Sequence, residues 1–456
     1  MDQMKASRYN LFVNHENRPT IVYNTFSGAI ARGNENFVTA LREGNIDLLE
    51  DSGISDALSR QGILVPDNFD EFQKYRDIHN RWKSGSELAE FNMLITYDCN
   101  FACPYCYEGR GETGQKIHGY RSMSPEMIET FKRFVKRTVN DRGSKAMELV
   151  LYGGEPMLME NECKKTTDEL ANWAEKSNVD FSLHMLSNGS LISRDFIRWA
   201  NDYGMRLQVP VDGDRDQHNK IRFYKDDKSG SFDGITDGVL SYTAGTDVET
   251  HIRISLTDET YPTMENMLDQ LAGKGLTHIY PDFCYITAFT EACDAYKTHV
   301  IPDSKLFKVM PKLWREAHKR GFPLEIRPFP QALPCSSVAD GSYIVDPFGK
   351  VYKCWELVGL DEHVVGNLNP DGSMEKTSVY ADVLERDPTR IEKCASHIYL
   401  PSCAGGCVCK ASWQHGTYHA SGCGTENFLI PDKLRVFTET NEPLKNPVLG
   451  DGKIEM

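Results

Sequence analysis

The chain has 456 residues, with 51 Lys and Arg against 66 Asp and Glu and a formal charge of −15. That length exceeds one small core and predicts two or three domains, while the acidic balance argues against non-specific binding to nucleic acid or an anionic membrane. No apolar run approaches the roughly 18 residues that span a bilayer, and Met1 to Ala6 contain no hydrophobic signal core, so a cytoplasmic protein is expected.

Along the chain, Tyr9–Val13 and Thr20–Tyr23 alternate like short strands around a polar turn. Phe37–Leu41 and Asp56–Leu64 read as short helices, and Asp67–Lys83 as a charged helical linker. From Phe91 the pattern becomes strand–helix alternation. Strands are predicted at Phe91–Tyr97, Met147–Tyr152, Phe181–Leu186, Met205–Val211, Thr250–Leu256 and Thr277–Phe283. Ser124-Pro125 opens a helix whose apolar residues Ile128, Phe131, Val135 and Val139 recur at helical spacing, and Gly143 closes it. Ser193 caps another helix, and Thr263–Lys274 is a third. Six such units predict a parallel sheet, an α/β partial barrel with its ligand at the strands' C-terminal ends. After Arg327 the chain turns Cys-, Gly- and Pro-rich with little periodicity, as though metal ligation completes its stability. The expected domains are 1–85, 86–325 and 326–456.

Thirteen cysteines in a chain expected to be reduced point to metal binding or reactivity rather than disulfides. Cys163, Cys284 and Cys293 stand apart and read as packing residues. Cys99, Cys103 and Cys106 follow the first barrel strand with the spacing C-x3-C-x2-C. Three thiolates on one loop hold three irons of a cubane and leave the fourth open. A closed zinc site needs a fourth ligand, and none is adjacent.

Together with Tyr105 before the last Cys, this loop resembles that of the radical S-adenosylmethionine (SAM) enzymes. Further matches stand at later strand ends: Gly153-Gly154-Glu155-Pro156, Ser187-Asn188-Gly189, Val211-Asp212-Gly213, and Arg253 on the fifth strand. The likeness covers residues 88–320. It implies that Cys99, Cys103 and Cys106 hold a [4Fe–4S] cluster. It further implies that Tyr105, Gly153, Gly154, Glu155, Pro156, Ser187, Asn188, Asp212 and Arg253 surround SAM, with the backbone and Glu155 at its ammonium and Arg253 at its carboxylate. By the same resemblance, the reduced cluster cleaves SAM to a 5′-deoxyadenosyl radical, which takes a hydrogen from substrate.

In the last third, Cys335-x13-Gly349-x4-Cys354, then Cys394-x2-His397-x5-Cys403-x3-Cys407, then Cys423, resemble the seven-cysteine SPASM extension of these enzymes. His397 stands where that pattern has Cys. The resemblance implies two auxiliary [4Fe–4S] clusters, one on Cys335, Cys354 and Cys407, the other on Cys394, His397, Cys403 and Cys423. Cys409 is a candidate fourth ligand of the first; alternatively its open iron binds a substrate thiolate. Zinc is the other reading of the Cys394, His397, Cys403 and Cys423 set.

SPASM-containing enzymes mostly modify peptides. The anaerobic sulfatase maturases carry an Asp directly after the Cys of the G-x4-C segment, whereas Cys354 is followed by Trp355-Glu356. The first 65 residues loosely resemble the winged-helix leader-recognition module of ribosomal-peptide maturases, which binds a leader by strand addition. The resemblance therefore implies a peptide maturase that forms a thioether or carbon–carbon crosslink, with a precursor peptide as substrate and a flavodoxin or ferredoxin as electron donor. The alternatives are a sulfatase-maturase-like oxidase that makes formylglycine, and a non-catalytic iron–sulfur electron carrier.

Overall fold

A computed structural model describes residues 3–16, 18–45, 52–106, 121–286, 298–441 and a short strand at 448–449. The chain forms two compact units, each assembled from separated stretches: Met1–Lys83 with Ile326–Cys335 and Glu385–Met456, and Ser84–Glu325 with Ser336–Leu384. The chain passes from one unit to the other at 83/84, 325/326, 335/336 and 384/385.

In the first unit, strands β1 (Met4–Ala6), β2 (Asn10–Val13), β3 (Thr20–Asn24), β4 (Ile30–Gly33) and β5 (Leu64–Pro66) form two small antiparallel sheets. β1 pairs with β5, and β3 lies between β2 and β4. The strand Val448–Leu449 lies antiparallel on the outer side of β4. The helix Glu35–Glu43 is capped by Asn34 and ends at Gly44 with φ 69°. The expected second helix ends earlier, at Arg60, and its last predicted residue, Leu64, opens β5. The expected helical linker is helical but is not a mere spacer. It folds as the helix Glu71–Ser84, whose Glu71, Tyr75 and His79 repeat every four residues and are buried. Tyr75 joins Tyr9, Cys394 and Leu400 in one apolar cluster, so residues far apart in sequence share a core.

In the second unit, β6 (Leu88–Leu94), β7 (Ala146–Tyr152), β8 (Asp180–Leu186), β9 (Arg206–Pro210), β10 (Glu249–Leu256) and β11 (Tyr280–Tyr285) lie side by side in chain order, all parallel. The helices Pro125–Arg142, Glu160–Lys176, Arg194–Asn201 and Met264–Gly273 join successive strands. One face of the sheet presents Phe91, Met93, Leu149, Leu151, Leu183, Met185, Leu207, Val209, Ile252 and Ile254, all buried. The other face carries Asn92, Tyr152, His184, Arg206, Gln208, Glu249, His251, Arg253 and Asp282, placed in cross-strand rows by the register. This polarity sorting is that of a sheet with helices outside and a functional interior.

The stretch after Arg327 is more regular than its composition suggests. β12 (Ser342–Val345) adds parallel to β6, and β13 (Lys350–Tyr352), β14 (Gly366–Leu368) and β15 (Met374–Lys376) continue antiparallel, giving ten strands in one sheet. Strands of three or four residues are too short for an alternation to register in sequence.

Candidate active site

The Cys99–Cys106 loop leaves the C-terminal end of β6 and is tied to its neighbours. Gly154 and Glu155 N–H groups donate to Thr96 O and Asp98 O, each at 2.7 Å. A Cβ at Gly153 would stand 2.5 Å from Thr96 O, so only glycine lets the two strand ends approach. From the other side, Lys225 N donates to Asn100 O at 2.8 Å, and Phe101 meets Tyr224 edge-on at 5.0 Å. Three N–H groups aim at the sulfurs: Phe101 N and Asn188 Nδ2 at Cys99 Sγ (3.4 and 3.6 Å), and Arg222 Nη1 at Cys103 Sγ (3.8 Å).

Glu155 is fully buried. Its carboxylate accepts from Ser187 Oγ (2.8 Å), Asn188 N (2.7 Å) and Met157 N (3.0 Å), so it binds the β7 end to the β8 end. Asn188 continues the tie through Asn100 Oδ1 at 2.8 Å. Gly189 holds φ 79°, and a Cβ there would reach within 2.9 Å of Val209 and Val239.

Tyr105 and Asp212 meet directly, the hydroxyl donating to Oδ2, and Arg222 Nε donates to the same oxygen. Asp212 Oδ1 accepts from Ser255 N at 2.6 Å. Burial works against the Asp212 charge, but Arg222, the Tyr105 hydroxyl and the Ser255 N–H together hold its pKa below the usual range. Burial pushes the Tyr105 hydroxyl well up, so Tyr105 stays a neutral donor. Behind them His218 Nδ1 accepts from Asp212 N (3.1 Å) and its Nε2 meets Ser231 Oγ (3.0 Å).

Arg253 is exposed on the polar face of β10. Glu356 is close enough to be influenced by it: burial raises the Glu356 pKa and Arg253 partly opposes this. Tyr152, at the end of β7, has its pKa raised by burial and then by Cys106, Glu356 and Cys99, so these four groups share one neighbourhood. Trp355 lies 4.3 Å from the Tyr152 ring, edge-on.

The donor spacing bears on which metal group fits. A tetrahedral zinc with bonds of about 2.3 Å sets its sulfurs about 3.8 Å apart. Among the described residues, only Glu249, His251 and Glu325 have three donor atoms within 4.8 Å of one another, and no trio of cysteines does. The N–H groups aimed at Cys99 and Cys103 suit a cubane, whose thiolate sulfurs accept such hydrogen bonds. The Glu249 group is already closed by charge pairing. His251 bonds Asp282 (3.1 Å) and Glu249 (3.0 Å), and Arg206 bonds the same Glu249 oxygen at 2.6 Å.

Of the later cysteines, Cys423 acts on the ionisation of Cys394, and both act on that of Cys403, so the three stand together. Burial raises the Cys403 pKa to about 11, and its cysteine neighbours raise it too. Cys335 and Cys407 are exposed and lie, like Cys394 and Cys403, within electrostatic reach of Arg386. Cys354 follows β13 and precedes the turn Trp355–Leu357 in the other unit. His397 rests against Tyr399 at 5.3 Å, its pKa lowered by burial and Lys393. Cys407 caps the helix Val408–His415, whereas Cys409 is fully buried within that helix. Two residues turn a helix by about 200°, so Cys409 faces away from Cys407. Cys163 is buried against Pro156 O at 3.5 Å, and Cys284 is the last but one residue of β11. Cys293 lies outside the described residues. Arg222, Arg386 and Tyr152 carry no local sequence signal.

Residues 93–271 match the model of the Radical SAM superfamily. The parallel-sheet unit thus carries a radical SAM domain, in agreement with the resemblance drawn from its cysteine loop. The chain is also 20% identical over 394 residues to the radical SAM cyclopropyl synthase TigE of Paramaledivibacter caminithermalis, covering 81% of this chain and 79% of the relative. It is 22% identical over 356 residues to the cysteine-type anaerobic sulfatase-maturating enzyme of Clostridium novyi, covering 70% and 88%. Among solved structures, native anSMEcpe with bound AdoMet matches with a TM-score of 0.60 at 17% identity over 78% of this chain and all of that one. Streptococcus suis SuiB bound to precursor peptide SuiA matches with a TM-score of 0.53 at 13% identity over 92% and 99%.

Proposed function

We propose that this protein is a radical SAM peptide maturase that abstracts a hydrogen from a residue of a ribosomally made precursor and closes a thioether or carbon–carbon crosslink. The observation that carries the reading is the convergence of the β7, β8 and β9 end segments on one loop of three cysteines, with N–H donors aimed at two of the sulfurs. Cys99, Cys103 and Cys106 would hold a [4Fe–4S] cluster there, which with SAM would supply one-electron radical chemistry. The chain's own residues then do the positioning. Gly153, Gly154 and Glu155 fix the cysteine loop against β7, Arg253 offers an exposed cation to the SAM carboxylate, and the Tyr105–Asp212–Arg222 group fixes the loop's far end.

Two auxiliary clusters are part of the reading, on Cys335, Cys354 and Cys407 and on Cys394, Cys403 and Cys423 with His397. The antiparallel sheet β2–β4 with its two helices is proposed as a winged-helix-like leader site. A flavodoxin or ferredoxin would serve as donor in the cytoplasm, with no nucleic acid or membrane involved; among the described residues no helix is long and apolar enough to cross a membrane.

The test is anaerobic reconstitution, reduction and incubation with SAM. Formation of 5′-deoxyadenosine is expected, and its loss on replacing Cys99, Cys103 and Cys106 together by Ala. Undiminished cleavage in the triple variant would sink the reading. With a precursor peptide sought among short reading frames beside the gene, tandem mass spectrometry should show loss of two hydrogens and a linked fragment. A sulfatase-maturase-like reading is favoured by Glu356, a carboxyl that shares the Tyr152 neighbourhood. It predicts an aldehyde on a peptide Cys or Ser instead.

A further inference from the structure

Arg386 is almost fully buried, and its guanidinium joins two loops. Nη1 donates to Tyr418 O and to Ala420 O (2.8 Å); Nη2 donates to Gly405 O (2.7 Å) and Gly406 O (3.3 Å). One loop carries Cys403 and Cys407, the other leads to Cys423. The loops also meet through Gly422 N to Gly405 O (3.0 Å) and Cys407 N to Gly422 O (2.9 Å). A Cβ at Gly405 would stand 3.0 Å from Nη2, so glycine is what admits the guanidinium. Four of the five N–H bonds of this group thus have carbonyl acceptors. The fifth, on Nε, is buried and has no acceptor among the described residues. Buried donors left without a partner are rare in native proteins. The charge also has no carboxylate bonded to it among the described residues, yet Cys394, Cys335, Cys407 and Cys403 all lie within its electrostatic reach.

We propose that Arg386 is a positioning residue for the auxiliary clusters: its two Nη atoms hold the ligand loops in register, and its Nε–H and charge are reserved for cluster sulfur. The inference rests on the auxiliary-cluster reading above. A cation beside a cluster stabilises the reduced, more negative state, so Arg386 raises the potential and favours electron acceptance.

The test uses full-length protein with Cys99, Cys103 and Cys106 replaced by Ala, which leaves only auxiliary iron. Arginine labelled with 15N at Nε is incorporated, and pulsed electron paramagnetic resonance is recorded on the reduced clusters. A nitrogen coupling is expected, absent in Arg386→Lys. Redox titration should show Arg386→Met at least fivefold less reduced at a fixed applied potential than the parent, and Arg386→Lys close to the parent. No nitrogen coupling in the parent, or identical titrations of parent and Met variant at full iron content, would overturn the proposal. Should the Met variant lose its iron, the labelled parent decides alone. Auxiliary iron absent from the parent itself would overturn the cluster reading, and Arg386 with it.

Discussion

The Tyr105–Asp212–Arg222 group shows how a buried charge is kept where chemistry needs rigidity. Asp212 has no exposure and depends on Arg222 for its counter-charge. Removing one partner of a buried ion pair costs about 3–5 kcal/mol, because the other is stranded. Arg222→Met should therefore destabilise the protein by about that amount, read as a lower denaturation midpoint, whereas Asp212→Asn with Arg222→Met together should recover part of it. Arg253 is the opposite case. It is exposed, so Arg253→Gln should leave the denaturation midpoint within error. If it binds the SAM carboxylate, losing a charged hydrogen bond of about 1.5–3 kcal/mol weakens SAM binding roughly 10- to 100-fold. Equilibrium dialysis of reconstituted protein with SAM would measure this, and unchanged affinity would remove Arg253 from the site.

The elements that were easiest to anticipate were the long ones. Six strands of five to eight residues with helices between them announce themselves by alternation and caps, such as Ser124 and Ser193, whose hydroxyls accept from Met127 N and Phe196 N. The helix Glu71–Ser84 is legible as a helix, but its charge hides that it belongs to a core, where Glu71, Tyr75 and His79, four residues apart, are buried. Glu71 is buried because it accepts from Ser7 Oγ and Arg8 N, partners more than sixty residues away. The cysteine loop was legible from spacing alone, but Arg222 and Arg386 were not, since an arginine's meaning here lies in contacts from distant loops. The shared core changes how the N-terminal stretch can be tested. Deleting residues 1–85 removes Tyr9 and Tyr75 from the cluster that holds Cys394 and Leu400. The truncated chain should therefore lose solubility or auxiliary iron, and not merely peptide recognition. Clean retention of about twelve irons, three cubanes, by the truncated protein would show that the core is dispensable.

At the scale of the whole molecule, histidine burial sets the acid response. Burial pushes the His218 pKa down to about 3 and that of His184 to about 4, from 6.5. The geometry of His218 explains why: Nδ1 must stay unprotonated to accept from Asp212 N, so the imidazole must be neutral. A base whose folded pKa is depressed binds its proton more readily when unfolded, so stability rises with pH across the gap and falls as pH drops below 6.5. At pH 5 each of these two residues removes about 2 kcal/mol, at about 1.36 kcal/mol per pH unit. His251 has the opposite sign. Burial works against its charge, but its bonds to Asp282 and Glu249 raise its pKa, so its contribution is complete below 6.5 and fades as pH rises. Glu148, Asp346 and Glu356, whose pKa values burial raises, likewise oppose the acid loss. With His79, His278, His363 and His397 also depressed, the balance favours loss toward acid. The melting temperature should fall between pH 7.5 and 5. His218→Gln keeps a polar group there but cannot titrate. It should be less stable than the parent at pH 7.5, and that deficit should shrink by pH 5 as the parent's histidine becomes a liability. Parallel melting curves for the two proteins across this range would show that His218 does not set the acid response.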